Sequence, residues 1–447
     1  LKLVEAKDNF KGNRDNDPVM MDYIDDGLPV RGGTASLSAP LPVGSAPHQE
    51  RRASFMGKSR TFEDGGGLCS PGRLRKTDRQ EASPLSKEIL AQARRLLEDS
   101  VKHRSGGKDT SLTFMVKLAA GWFEECPFEQ GVLDEMVGCL RKALDLKAED
   151  CTAAAGQSFR LKMCKYLMKD LGDPDWQFFD QLEAGVPVGV GVTMPRTPRV
   201  FDQNIKWSLA EDAAGAQHEV ENYRSLKGYE EEVKKLFEEE ERLGWMEEMS
   251  DEEAQKEYGE NLYLAGLAVV VEKDKFRVVH DGTHGVKVNS RIRVQDQVKS
   301  PTAGEIRTLM KERHQDTHGS KQFVLVGDVS KAHRRVKIRR QDWGWQACRL
   351  QEGRIWVNCV GTYGIASAGY WWARLSSAVL VRLFYYLLAS SGRQDALLFA
   401  DDLLMIAGRV SEIVDLGALI LVWVALGVPW KWKKWRGGHQ ASWIGYW

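Results

Sequence analysis

The run Leu397-Leu398-Phe399-Ala400-Asp401-Asp402-Leu403-Leu404-Met405-Ile406-Ala407 sets two adjacent carboxylates inside apolar sequence. Each flank is short enough for a buried strand, so the pair marks the bend of a tight hairpin. Ionised groups against a core cost several kcal/mol per charge unless something offsets it. A divalent cation is one such offset, because hard cations take carboxylate oxygens. A solvated Asp-Asp turn is the other reading, since Asp favours turns in any case. The neighbouring sequence has to separate the two.

Upstream, Phe323-Val-Leu-Val-Gly327 is a buried-strand signal that ends on Asp328, and a basic segment, Lys331 to Ile338, follows. Arg354–Val360 is strand-like. The small-residue loop Gly361-Thr-Tyr-Gly-Ile-Ala-Ser-Ala-Gly369 leads into an apolar helix carrying Trp371, Trp372, Leu375, Val379 and Leu383. Earlier still, Leu262–Val271 and Phe276–Asp281 flank Lys273-Asp274-Lys275 and predict a hairpin with a basic tip. Downstream, Leu416–Val428 reads as a buried helix, shorter than the ~18–20 residues that span a bilayer. Trp430-Lys-Trp-Lys-Lys-Trp-Arg436 and Trp443-Ile-Gly-Tyr446 close the sequence. A strand ending in one Asp and a hairpin tipped by two can bring carboxylates to one edge of a sheet. Such a site could hold two Mg²⁺ ions roughly 3.5–4 Å apart for phosphoryl-transfer chemistry. Lys and Arg on an opposing hairpin could neutralise a triphosphate. A glycine loop lets backbone approach a nucleotide closely, and basic and aromatic residues suit a nucleic-acid strand.

This order, over about residues 217–447, resembles the reverse transcriptases of retroelements. Phe399-Ala-Asp-Asp402 looks like the family's aromatic-x-Asp-Asp motif, and Asp328-Val-Ser-Lys-Ala-His333 looks like its first metal motif. The resemblance implies an α+β fold with right-hand polymerase fingers and palm. It implies Asp328, Asp401 and Asp402 as metal-binding catalytic residues, with two Mg²⁺ ions or Mn²⁺ in their place. Lys273 and Arg277, with Asp281 on the same hairpin, would cover the incoming triphosphate, and Gly364 after Tyr363 would support the nucleotide. Lys434 lies where the family's motif D has a lysine that is a proposed proton donor to pyrophosphate, although Lys431 and Lys433 compete for that place. Trp443, Gly445 and Tyr446 are similar to the primer grip. His333 stands where the family usually carries Phe or Tyr as a gate against the ribose 2′-OH; packing is its other reading. Gly369 replaces a usual Pro. The implied partners are an RNA template, a DNA or RNA primer and dNTPs, with no membrane. The rival reading is an inactive nucleic-acid-binding remnant of a mobile element such as a retrotransposon.

The remaining sequence is less specific. Residues 1–82 are rich in Gly, Pro, Ser and charge without a lasting period, which predicts a disordered tail. Residues 83–184 carry helical periodicity, roughly over 85–97, Leu112–Glu125, Phe128–Leu146 and Thr152–Leu171, and name no activity. Residues 185–216 read as an extended linker, because Gly185 to Val192 lacks the Gly-Lys-Ser/Thr ending of a phosphate loop. An acidic helix is expected from Gln217 to Leu243. Basic and acidic residues number 63 each. They separate, however: Glu211–Glu260 holds 18 acidic and 6 basic residues, whereas Lys321–Trp447 holds 17 basic and 8 acidic, which suits a polyanion partner for the latter. Seven scattered cysteines without a C-x-x-C pair argue against a zinc module and for a reducing compartment, nuclear or cytoplasmic, rather than secretion. A start on Leu1 and a stop at Trp447, right after the primer-grip-like residues, are expected of a fragment that lacks the thumb.

Overall fold

The strand runs around Asp328 and Asp401 form the sheet on which the rest of the chain is laid. The computed structural model describes residues 82–154, 156–198, 214–272, 275–296, 300–388 and 394–445. The expected disordered tail thus lies, but for residue 82, outside the described residues. Helices α1 (Pro84–Ser105), α2 (Ser111–Ala119), α3 (Gln130–Ala143), α4 (Leu161–Asp170) and α5 (Phe178–Ala184) come first. Next are α6 (Glu230–Arg242), β1 (Met246–Ser250), α7 (Asp251–Tyr258), β2 (Leu264–Ala265), β3 (Leu267–Glu272), β4 (Lys275–His280) and α8 (Ala303–Asp316). They are followed by β5 (Phe323–Asp328), β6 (Ala347–Gln351), β7 (Arg354–Asn358), α9 (Ala366–Ser376), α10 (Leu383–Leu388), β8 (Asp395–Phe399), β9 (Asp402–Ala407), α11 (Val410–Ala425) and β10 (Arg436–Gly438). A π-helical turn, Ser377–Arg382, joins α9 to α10. Helix and sheet are both well represented, as an α+β chain requires. Among the described residues no helix is long and apolar enough to cross a membrane.

The central sheet has the order β10-β5-β9-β8 and is antiparallel throughout. Its strands alternate as a two-faced sheet demands. Leu325, Leu403 and Met405 enter the main core with α11, while Val326, Leu404 and Ile406 pack with Ile306 and Leu309 of α8 and with Trp443. Helix α11 is apolar on nearly every side, and Leu416, Leu419, Ile420 and Trp423 are fully buried. Each such side chain contributes roughly 1.5–3 kcal/mol relative to exposure. α11 is buried because α1 covers its far side with Ile89, Ala93, Leu96 and Leu97. Gly417 permits the close approach: a Cβ there would lie 2.9 Å from Leu97 Cδ2 and 2.8 Å from Met115 Sδ. The second sheet, β1-β7-β6-β2, packs with α6 through Val233, Phe237, Met246 and Trp356. Strands β3 and β4 form a separate hairpin.

Three expectations shift. The helix expected over Gln217–Leu243 spans only Glu230–Arg242. Residues before it pair with the strand run instead, with Val220 N–H donating to Leu264 O at 3.0 Å and Tyr223 N–H to Leu267 O at 2.9 Å. Of the stretch read as a linker, residues 185–198 are extended but packed: Val186 bridges to Ile338 and Val190 to Ile292, and Val186, Val188 and Met194 are fully buried. The helix expected from Thr152 begins at Leu161, because the chain before it docks on the end of α11. Arg160 N–H donates to Leu426 O at 2.9 Å, and Gln157 Nε2 to Arg335 O at 2.6 Å. The early helices therefore share the core of the sheet. Two buried ion pairs lock them: Asp173 with Arg382 at 2.5 Å and Asp175 with Arg374 at 2.7 Å.

Candidate active site

β5 and β9 are in register from Phe323↔Ala407 to Asp328↔Asp402, so the last residue of one strand faces the first of the other. The β8–β9 bend consists of Ala400, with φ +52°, and Asp401. A left-handed residue lets a two-residue bend follow the twist of the strands. Trp372 Nε1 donates to Ala400 O at 3.0 Å, and Val329 N–H donates to Asp401 O at 3.0 Å, which fixes the bend on both sides. Further along, buried Arg313 of α8 binds Asp395 at the start of β8 and Gln322 just before β5, so both strands are anchored at the end away from the carboxylates. Asp328, Asp401 and Asp402 are thus brought together.

The cationic side of the site comes from the segment after α11. Lys431 N–H donates to Asp328 O at 2.8 Å and Ser330 N–H to Pro429 O at 2.7 Å, placing this segment along β5. Trp430, Trp432 and Trp435 are buried and hold it there: Trp432 and Trp435 stack with centroids 5.6 Å apart, and Trp430 meets Trp435 at 4.9 Å. Gly327 makes room, since a Cβ there would come 2.8 Å from the Trp435 ring. These tryptophans are packing anchors. Of the lysines between them, Lys431 and Lys434 turn to the carboxylates, while Lys433 pairs with Glu124. Lys434 Nζ binds Asp328; Lys431 Nζ lies 2.5 Å from Asp328 Oδ1 and 3.7 Å from Asp401 Oδ2. The sequence leaves Lys431 and Lys433 as rivals of Lys434, and the tryptophan packing turns both Lys431 and Lys434 inward.

Burial and then the neighbouring Asp328 push the Asp401 carboxyl up, and burial followed by Asp401 and Asp328 pushes Asp402 up to about 6. Burial would lower the Lys434 pKa, but its hydrogen bond to Asp328 and the charges of Asp328, Asp402 and Asp401 together outweigh that and raise it, so the ammonium stays charged. Among the described residues no three His, Cys, Asp or Glu side chains form an all-protein metal cage. The donors nevertheless fit Mg²⁺, which commonly takes one or two carboxylates and completes its shell with water and phosphate. The Lys431 ammonium, between Asp328 and Asp401, marks the place where a cation is favoured.

The other expected residues lie as follows. Gly364 has φ +98°, and a Cβ there would come 1.9 Å from His280 O, so this loop closes against the end of the β3–β4 hairpin. Asn289, which the sequence did not single out, joins the two: its Nδ2 donates to Gly364 O and its Oδ1 accepts from Ala366 N–H, both at 2.8 Å. Arg277 is exposed on β4 opposite Val270; Lys273, at the tip, lies outside the described residues. Asp281 is engaged in its own turn, accepting from Tyr223 OH and from the N–H groups of Thr283 and His284. His333 is buried, which lowers its pKa to about 4 and keeps it neutral, and Tyr363 covers it with centroids 4.7 Å apart. Its packing role is thus in place. Trp443 and a cleft of about 350 Å³ adjoin the carboxylates; Asp328, Asp402, Lys433, Lys434 and Arg436 line the cleft. The Trp443 indole N–H is buried without a partner among the described residues. Gly445 has φ +80°, and Tyr446 lies outside the described residues.

No family model matches the chain, and no curated protein matches it. Among solved structures it is similar to the foamy viral protease-reverse transcriptase in complex with dsDNA, at 12% identity and a TM-score of 0.39, over 62% of this chain and 50% of that one. It is also similar to the dRH form of the foamy viral enzyme with ds DNA, at 14% identity and TM-score 0.37, over 72% and 47% of the two chains. A third is the selenomethionine-labelled prototype foamy virus CSH mutant, at 11% identity and TM-score 0.37, over 53% and 28%. The chain spans half or less of the length of these proteins. So slight a likeness carries no inference about chemistry, which rests on the site itself.

Proposed function

We propose that the chain is the fingers and palm of an RNA-directed DNA polymerase of a retroelement, acting on a primer–template with dNTPs in an intracellular compartment. The observation that carries this reading is the convergence of Asp328, Asp401 and Asp402 at one sheet edge, with a lysine ammonium between two of them. The palm would be the β10-β5-β9-β8 sheet with α8 and α11. The fingers would be the second sheet, α6, α7 and the β3–β4 hairpin.

Asp328 and Asp401 would hold two Mg²⁺ ions, with Asp402 supporting; bound there, the ions would supply charge stabilisation at the attacking and leaving oxygens. In the reaction the primer 3′-hydroxyl gives up its proton to water and its oxygen bonds to the α-phosphorus of the dNTP as the bond to the oxygen bridging to the β-phosphate breaks, releasing pyrophosphate. Lys434, charged and at the cleft, can donate a proton to that leaving group. Lys273 and Arg277 would neutralise the triphosphate, Gly364 would let the nucleotide approach the backbone, and Trp443, Gly445 and Tyr446 would hold the primer end. His333 beneath Tyr363 would form the floor against the sugar.

Extension of oligo(dT) on poly(rA) with Mg²⁺ tests the reading, using this chain and a longer one that continues past Trp447. Asp401→Asn is expected to lower extension at least a thousandfold, about 4 kcal/mol of barrier, with primer–template binding within about threefold of the parent. Unchanged synthesis by that variant would falsify the assignment. Binding without extension by either parent chain would favour the inactive remnant.

A further inference from the structure

The early helices contribute none of the residues assigned to the reaction, yet one of their loops stands beside the cleft. Beyond α2 the chain turns at Gly121, φ +72°, and leaves Trp122 68% exposed. The loop is held firmly from below: Phe123 packs on Phe114 with centroids 5.4 Å apart, under the Arg104 guanidinium at 4.8 Å, and Phe128 meets Trp432 at 6.3 Å. Lys117 sets its ammonium 5.4 Å from the Trp122 centroid and is tethered by Asp109. Gly121 lies against Arg436, whose Nη1 would be 2.2 Å from a Cβ at that position, and Glu124 pairs with Lys433 at 3.5 Å. Both Arg436 and Lys433 line the cleft that contains Asp328 and Asp402.

A single exposed aromatic needs no explanation. This one is rigidly mounted, carries a cation near its ring, and adjoins the basic wall of a cleft. The Glu124–Lys433 pair is exposed on both sides and therefore weak, so a phosphate can take the Lys433 ammonium from it. We infer that Trp122, Lys433 and Arg436 form a shelf on which an unpaired stretch of nucleic acid stacks as it passes the cleft. An indole face accepts any unstacked base, and the flanking cations follow the backbone. The inference rests on the nucleic-acid reading of the cleft and not on catalysis.

Fluorescence anisotropy of a labelled single-stranded 20-mer, without metal and over a range of salt, tests it on the full chain. Trp122→Ala is expected to weaken binding about tenfold at unchanged salt dependence, and Trp122→Phe to recover most of the loss. Lys433→Ala with Arg436→Ala is expected to flatten the slope of log K against log salt by about 1.4. Thermal unfolding of each variant distinguishes lost contact from lost fold, and Trp122→Phe retains the test if the alanine variant unfolds. Binding by Trp122→Ala within twofold of the parent overturns the shelf, and points to a protein partner for that face. If the parent still extends a primer in that case, the polymerase reading stands alone. If the parent binds no oligonucleotide, the shelf falls, and primer extension alone decides the polymerase reading.

Discussion

At the residue scale the site is a balance of like charges held by tryptophan packing. Asp402 has a carboxyl near 6 in the folded chain against an ordinary value of 3.8. A carboxyl raised in the folded state favours folding below pH 3.8 and loses that contribution as the pH climbs to 6. Above pH 6 the charge is a burden. With chelator present, Asp402→Asn is therefore expected to raise the melting temperature at pH 8 by about 2–4 °C, and to give no gain at pH 4. A calorimetric scan at the two pH values checks this, and an equal shift at both would contradict it. Mg²⁺ should raise the melting temperature of the parent at pH 8 and much less at pH 5, where Asp402 holds its proton. The three carboxylates were legible in the sequence because a charged pair in an apolar run is costly and conspicuous. Lys431 was not legible. Its direction depends on Trp430, Trp432 and Trp435 lying inside, and nothing in an alternating Trp/Lys run says which set is buried.

At the element scale the β3–β4 hairpin packs on the second sheet through Leu267 and Val269 and is tied at its His280 end to the loop that carries Gly364. Gly364 and Asn289 make that joint, through a contact with His280 O too close for any side chain and through paired hydrogen bonds. Gly364→Ala is expected to destabilise the chain by about 2 kcal/mol or more, from left-handed strain and displacement of the hairpin; urea unfolding measures it. Asn289→Ala should cost about 1–3 kcal/mol by stranding Gly364 O and the Ala366 N–H. The hairpin was readable from two β-branched runs about a charged turn. The length of α6 was not, because residues 217–223 have helical periodicity but find their hydrogen bonds in a strand far along the chain. Tertiary pairing outweighed local preference there.

At the scale of the whole molecule the early helices and the sheet are one body. Helix α1 covers α11, and Asp173 and Asp175 neutralise Arg382 and Arg374 in the interior. Removing one member leaves an unpaired buried charge, so Asp173→Ala is expected to cost about 3–5 kcal/mol, read as a lower urea midpoint. A chain beginning at residue 217 would expose the apolar back of α11 and should fail to give a cooperative melt or a single peak in gel filtration. A stable monomeric fragment would contradict the shared core. The sequence showed helices over 83–184 but placed a linker after them. The valines of that stretch alternate with glycine and proline, a pattern that suits an exposed strap as well as a buried one, and only the bridges to Ile292 and Ile338 decide between them.

The pairing of α1 with α11 also sets a timetable for synthesis. The last residue of α1, Ser105, leaves the ribosome 305 residues before Val410, the first of α11, counted as 410 − 105. At roughly 5–20 residues per second the apolar stripe of α1 waits about 15–60 s for the surface that covers it. The nascent chain is therefore expected to depend on chaperone holding through that interval, and slower translation should lower its soluble yield.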